Sequence, residues 1–199
     1  MRDLFPVQPV GMAGLALVVV GGLVFFALLL RRSFGSAGGE EGARKSGLSR
    51  IGILLQMIAF AGTGFGGVHA TLPPFSPAAL AGAVAVALLM GGAVLLFAAA
   101  TRAMGANWSV TARTRADHEL VTQRIFARLR HPIYTGMGLF LAAEAIAFGH
   151  EANLIIGLPL FIAGTWIRIS EEERLLRDRF GAGYDAYARQ VRRFVPGLF

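Results

Sequence analysis

The sequence contains no cysteine. That excludes a disulfide framework, a thiolate-ligated metal and a thiolate nucleophile. Charge is scarce as well: Asp, Glu, Lys and Arg make up 16% of the 199 residues, against about a quarter in soluble domains. Lysine is almost missing, with Lys45 alone beside eighteen arginines. Long polar stretches are few. With 55% hydrophobic residues and a mean hydropathy of +0.59, the chain cannot be intrinsically disordered. The formal net charge of +7 would suit nucleic acid only if the charges formed one surface, and their positions argue otherwise.

What is present instead is a set of apolar runs. Val10 to Leu30 has no charged residue, Ile51 to Leu72 has only His69 as an ionisable group, and Pro77 to Thr101 is Ala, Val, Leu and Gly throughout most of its length. Each is long enough to cross a hydrocarbon core of about 30 Å. Gly136 to Gly149, which carries Glu144, and Leu154 to Ile167 are shorter, and together they predict a helical hairpin around His150-Glu151-Ala152-Asn153. The first run exceeds a signal-peptide core, and Arg31-Arg32 follow it rather than precede it, so it reads as a retained helix.

The basic residues set the expected orientation. Only Arg2 precedes the first run; five lie between the first and second, none between the second and third, and thirteen from Arg102 onward, outside the hairpin tip. The positive-inside rule then predicts five segments with the N-terminus out and the C-terminus in the cytoplasm. The charge is thereby assigned to topology and contact with membrane lipids, with no nucleic-acid partner. The expected fold is an all-α integral membrane protein: three transmembrane helices in residues 1–101, then a region 102–199 with the hairpin and a cytoplasmic helical segment. Ser33 to Ser49 reads as a cytoplasmic loop, the glycines at 62, 64, 66, 67, 91 and 92 as sites of close helix packing, and Trp108 as an interfacial side chain.

The polar half carries the candidate chemistry. Pro132 disfavours helix at His131 and suits the first position of the next helix, which places His131 at a helix start at the membrane surface. Backbone N–H groups there can meet an anionic or carbonyl oxygen. Glu171-Glu172-Glu173 follow the last apolar run within a turn or so. A helix spreads three adjacent carboxylates over about 200°, so at least one must face the bundle, where it suits a cation or a sugar diol. Glu144 inside an apolar run is a functional candidate, unless a short hairpin leaves it in water. Phe180, Tyr184, Tyr187 and Val191 form one face of an amphipathic helix, with a break expected near Gly181 and Gly183. No His, Asp and Glu spacing supports a metal site.

Arg130-His131-Pro132-Ile133-Tyr134-Thr135-Gly136, the Glu172-Glu173 pair, Phe180 to Tyr187, and Val191-Arg192-Arg193-Phe194-Val195-Pro196, with Asn107-Trp108-Ser109 ahead of them, resemble the isoprenylcysteine carboxyl methyltransferase family. These are integral-membrane enzymes related to the phospholipid N-methyltransferases, and the resemblance covers roughly residues 100–196. It implies S-adenosyl-L-methionine as cofactor, bound on the cytoplasmic side by His131, Pro132, Tyr134, Gly136, Glu172 and Glu173. It also implies a lipophilic or prenylated substrate entering from the bilayer, with Arg168 a candidate for holding an acceptor carboxylate. One departure stands out: the family often has Gly-Pro-Tyr-Arg ahead of the Arg-His-Pro motif, where this chain has Arg124-Ile125-Phe126-Ala127. A carboxylate acceptor is already ionised at neutral pH and needs no general base. A phospholipid amine would need one, for which Glu144 or His131 would serve, and a thiol is a further alternative. A nicotinamide-dependent sterol or isoprenoid reductase shares a similar C-terminal pattern, and a non-enzymatic membrane protein of the same fold is a third class. The Ala-, Arg- and Gly-rich composition suggests a bacterial inner membrane.

Overall fold

A computed structural model describes residues 5–35, 44–45, 47–105, 108, 113–114 and 119–194. The described chain is almost wholly helical: α1 (Met12–Gly35), α2 (Leu48–Thr63), α3 (Pro77–Met104), α4 (Pro132–Phe148), α5 (Leu154–Phe180) and α6 (Ala182–Gln190). Short 3-10 turns occupy Arg124–Ala127 and Glu151–Asn153, and two-residue strands β1 (Arg44–Lys45) and β2 (Arg113–Thr114) pair antiparallel. Asn107 and Ser109 lie outside the described residues, as does most of the expected loop between α1 and α2.

Local chemistry sets the helix ends. At the start of α3, Ser76 Oγ accepts from the Ala79 N–H at 3.3 Å and Pro77 takes a position that needs no donor. Gly149 ends α4 at φ 73°, and a Cβ there would collide with the Gln8 carbonyl, so the close approach of the N-terminal segment requires glycine. Gly181, at φ 51°, breaks α5 from α6 where the sequence predicts a break.

α1, α3 and the stretch Glu151–Phe180 are long and apolar enough to cross a membrane. Their outward side chains are large and bare, with Leu23 67%, Leu88 72%, Leu95 70% and Ile155 68% exposed. Water would not tolerate so continuous an apolar surface, whereas lipid solvates it. The molecule is an integral membrane protein. Helix packing fixes the relative directions. Gly11 meets Ala79 and Gly21 meets Met90, so α1 and α3 run parallel. Gly52 meets Gly164 and Arg168 while Gly157 meets Thr63, so α2 and α5 run antiparallel; Gly136 meets Leu96 while Gly92 meets Leu139, so α3 and α4 are antiparallel too. The N-terminal residues and α6 therefore lie at opposite ends of the bundle. A row of rings ties all five long helices together: Phe97 to Phe25 at 4.5 Å, Phe25 to Phe140 at 5.4 Å, Phe140 to Phe60 at 5.4 Å and Phe60 to Phe161 at 6.2 Å. In a lipid solvent such packing, more than burial from water, holds helices together.

Several expectations are corrected. The second run is helical only to Thr63, and α2, with 16 residues, is about 24 Å long, short of a full crossing. Gly64 closes the helix and Gly66 turns the chain at φ 143°, while Asn153 Nδ2 donates to the end carbonyls of Gly62, Thr63 and Phe65 at 3.3, 3.2 and 3.0 Å. Beyond it the chain is extended, with Val10 N–H donating to His69 O at 2.9 Å and Leu72 N–H to Val10 O at 3.1 Å. α4 and α5 are joined by a short turn, as expected of a hairpin, but α4 packs mainly on α3 and α5 mainly on α2. Of the glycines expected to pack closely, Gly64 meets Glu144 and Gly92 meets Leu139, whereas Gly62 and Gly91 face open space; Gly11, Gly21, Gly52, Gly136 and Gly164 carry further close contacts. Trp108 is not interfacial: it is 3% exposed and stands edge-on to Phe97 at 6.3 Å.

Candidate functional site

The site forms where the C-terminal strap returns to the start of α4. After α6 the chain runs beside residues 129–131, with Arg130 N–H donating to Arg192 O at 2.8 Å and His131 N–H to Arg193 O at 3.0 Å. Thr135 Oγ1 donates to Phe194 O at 3.2 Å. The His131 ring stands between Tyr134 and Phe194, with centroids 6.0 and 6.3 Å away. The sequence order of the motifs thus becomes one contiguous surface at a single end of the bundle.

Glu173 is the hub. Its Oε1 accepts from Arg130 Nη1 at 2.8 Å and Arg193 Nε at 3.0 Å, and lies 3.1 Å from His131 Nε2. Its Oε2 accepts from Arg193 Nη2 at 2.9 Å and Arg177 Nη2 at 3.3 Å. The residue is 1% exposed, so these partners, rather than water, carry its charge. Tyr184, also 1% exposed, closes the far side with its hydroxyl 3.5 Å from Arg130 Nη1. Burial, then the Glu173 charge, pushes the Tyr184 phenol up from its ordinary value. The hydrogen bond to Glu173 likewise raises Arg193. Arg177 ties the hub to α6 through Asp185 at 3.2 Å.

Glu172 is different. Tyr134 donates its hydroxyl to Glu172 Oε1, and Oε2 lies 3.9 Å from His131 Nδ1, while the side chain stays 28% exposed. The Arg168 guanidinium sits over the Tyr134 ring, 5.1 Å from its centroid, and Nη1 donates to Gln56 Oε1 at 2.9 Å. Glu171 turns away to pair with Arg174 at 2.7 Å. Two of the three glutamates, at 171 and 173, are buried. A small cavity of about 70 Å³ lies behind the cluster, lined by Glu119, Arg130, His131, Leu176, Tyr184 and Tyr187 among others. The Arg130 Nε is buried there without a partner among the described residues.

The structure therefore brings His131, Tyr134, Glu172, Glu173 and Arg168 together, with Pro132 buried at the helix start behind His131. Gly136 points elsewhere: a Cβ on it would lie 3.1 Å from the Ala93 carbonyl, so it faces α3. Glu144 is ten residues along α4 from Tyr134, about 15 Å away along the axis, beside Gly64 and Phe148. Arg130, Arg193 and Tyr184 are members that the sequence presents only as parts of motifs, and Arg177 falls between the motifs. Gln56 and Thr165 went unrecognised, although a polar side chain inside an apolar run is itself a signal in a membrane helix. The departure at Arg124 also has a structural reading. Arg124 adopts φ 58°, a glycine-like conformation held by a non-glycine residue.

Comparison with known proteins gives the same direction. Residues 80–183, just over half of the chain, match the family model described as phospholipid methyltransferase. A protein-S-isoprenylcysteine O-methyltransferase of Schizosaccharomyces pombe is 32% identical over 88 residues, covering 44% of this chain and 37% of the relative. The enzyme of that name from Dictyostelium discoideum is 30% identical over 118 residues, covering 57% of this chain and 48% of the relative. That of Tribolium castaneum is 31% identical over 96 residues, covering 45% and 32%. The matched part thus spans less than half the length of each of these relatives. The matched part takes in nearly all of α3 and the whole of α4 and α5, with Arg130, His131, Tyr134, Glu172 and Glu173, and the chain belongs to the phospholipid methyltransferase family.

Proposed function

We propose that this chain is an S-adenosyl-L-methionine-dependent membrane methyltransferase acting on the carboxylate of a lipophilic, isoprenylcysteine-like acceptor. The observation that carries the reading is the group Glu172, Tyr134, Arg168: a half-open carboxylate at the hydroxyl of one tyrosine and a guanidinium over its ring. The names of the three relatives support the same acceptor class.

The residues fit the cofactor in kind. Glu172, partly exposed and with Oε2 no closer than 3.9 Å to His131 Nδ1, has capacity left for a ribose diol, while both oxygens of Glu173 are already engaged by Arg130, His131, Arg177 and Arg193. Glu172, His131 and Tyr134 would therefore touch the cofactor, and Glu173 would organise them. The buried, unpartnered Arg130 Nε adds a donor at the cavity. The cavity is far smaller than the several hundred Å³ of a nucleotide pocket, so it holds part of the cofactor only. When bound, the cofactor supplies an electrophilic methyl group on a sulfonium. Arg168 would hold the acceptor carboxylate with its planar fork of donors. That carboxylate is ionised at neutral pH, so no proton has to be moved from the accepting oxygen, and positioning is what the protein contributes.

Glu144 takes no step in this reading; an amine acceptor, which must lose a proton, is the case it would serve. The groups named here all come from residues 102–199. The Ala-, Arg- and Gly-rich composition supports a bacterial inner-membrane location, and the arginine distribution supports this end of the bundle in the cytoplasm, with membrane lipids as neighbours. The test is transfer of labelled methyl from S-adenosylmethionine by the purified chain into fractionated lipid extracts. Incorporation into an acidic prenylated fraction is expected. Incorporation into amine lipids alone would replace the carboxylate acceptor, and hydride transfer from NADPH would replace the enzyme class.

A further inference from the structure

Three buried polar side chains of α2 lie outside the family match, Ser49, Gln56 and Thr63, and Gln56 is the longest of them. Gln56, in the middle of α2, is 2% exposed and bridges two residues of α5. Its Oε1 accepts from Arg168 Nη1 at 2.9 Å, and its Nε2 donates to Thr165 Oγ1 at 2.8 Å. The orientation of the amide is determined by chemistry: a guanidinium has donors only, so the carbonyl oxygen must face it. The approach is close by construction. A Cβ on Gly52 would lie 2.5 Å from Arg168 Cγ, and one on Gly164 would lie 2.7 Å from the Gly52 carbonyl. Two glycines thus let α2 and α5 touch at the turn where the arginine stem passes. An arginine at the end of an apolar stretch in a membrane helix ordinarily extends its head toward the headgroups. Here the head is turned inward over Tyr134.

We infer that Gln56 is the positioning residue that fixes the Arg168 guanidinium over Tyr134, and so sets the enzyme's preference for a carboxylate acceptor. The inference rests on the proposed role of Arg168. It places a specificity determinant on α2, which lies outside residues 80–183 and is not part of the matched family region. Gln56 touches neither acceptor nor cofactor in this account; it acts through Arg168.

The test uses the full chain in detergent micelles with saturating S-adenosylhomocysteine, so that no turnover occurs. Binding of an N-acylated S-prenylcysteine acid and of its methyl ester is measured by calorimetry. The wild type should bind the acid at least about tenfold more tightly than the ester. Gln56→Met, which keeps length and removes both hydrogen bonds, should cut acid affinity roughly tenfold and leave the ester unchanged, as expected for a lost hydrogen bond to a charged group. Gln56→Asn, which withdraws the amide by one methylene, should do the same. In an Arg168→Met background Gln56→Met should change acid binding less than twofold, because the two act as a unit. If both Gln56 variants keep the wild-type acid preference, the positioning role is overturned while the carboxylate reading stands. If acid and ester weaken together with a fall in melting temperature, Gln56 is only a fastener between α2 and α5, which also overturns it. If the wild type itself shows no acid preference, the carboxylate reading fails and takes this inference with it.

Discussion

Replacing Glu173 by Gln separates the structural hub from the ligand-binding carboxylate. The substitution keeps size and removes one charge. It also turns one acceptor oxygen into an NH₂ facing guanidinium N–H groups, since Oε1 and Oε2 each accept from arginine donors now. Removing one partner of a buried ion pair costs about 3–5 kcal/mol. The side chains of Arg177 and Arg193 are 46% and 29% exposed and can be rehydrated, so the lower end applies. A loss of about 3 kcal/mol should lower the melting temperature in detergent by roughly 6–12 °C for a chain of this size. Glu172→Gln breaks no such network, so its melting temperature should move little while S-adenosylmethionine affinity falls roughly tenfold or more. Fluorescence-detected unfolding and calorimetry read the two effects separately. An unshifted melting temperature for Glu173→Gln, with cofactor affinity lost, would show that Glu173 is a direct ligand and that its ion pairs do not hold the fold.

Further outcomes follow from individual residues. Arg124→Gly should stabilise the chain by about 1 kcal/mol, because φ 58° costs a non-glycine residue that much; a destabilised variant in the same unfolding assay would mean that the Arg124 side chain contributes more than its backbone costs. Reporter fusions at Ser36 and after Phe199 should both score cytoplasmic, since all the Lys and Arg residues except Arg2 avoid the opposite end; opposite locations for the two would refute the topology. His131→Ala should weaken cofactor binding, whereas Arg168→Lys should spare it and lower kcat/KM for a carboxylate acceptor, because an ammonium cannot replace the planar fork. Silent turnover in Arg168→Lys would mean that Arg168 is only a structural partner of Gln56.

The parts legible in the sequence are those governed by local rules. Uninterrupted apolar runs gave α1 and α3, Pro132 gave the start of α4, and Gly181 gave the break before α6, because each depends on neighbouring residues alone. The grouping of His131, Tyr134, Glu172 and Glu173 was accessible through motif order. Their division of labour was not, because whether a carboxylate is saturated depends on Arg193, twenty residues later, and Arg130, forty-three earlier. The end of α2 escaped partly for the same kind of reason. Asn153 caps it from across the bundle, about ninety residues away in sequence, while the local stop signal, the glycines at 62, 64, 66 and 67 with Gly64 at the helix end and Gly66 at φ 143°, reads equally as helix packing. Gly136 read as a pocket residue by resemblance, while its position on α4 turns it to α3.

The bond formed to the transferred methyl group tests the carboxylate assignment most directly. Purified chain is incubated with labelled S-adenosylmethionine and a prenylcysteine acid, and the lipid product is treated with mild alkali. A methyl ester hydrolyses and releases volatile labelled methanol, whereas methyl groups on nitrogen or sulfur stay with the lipid. The account predicts that nearly all the label becomes volatile, and that Arg168→Lys lowers the amount formed. Label that stays with the lipid after alkali would contradict it.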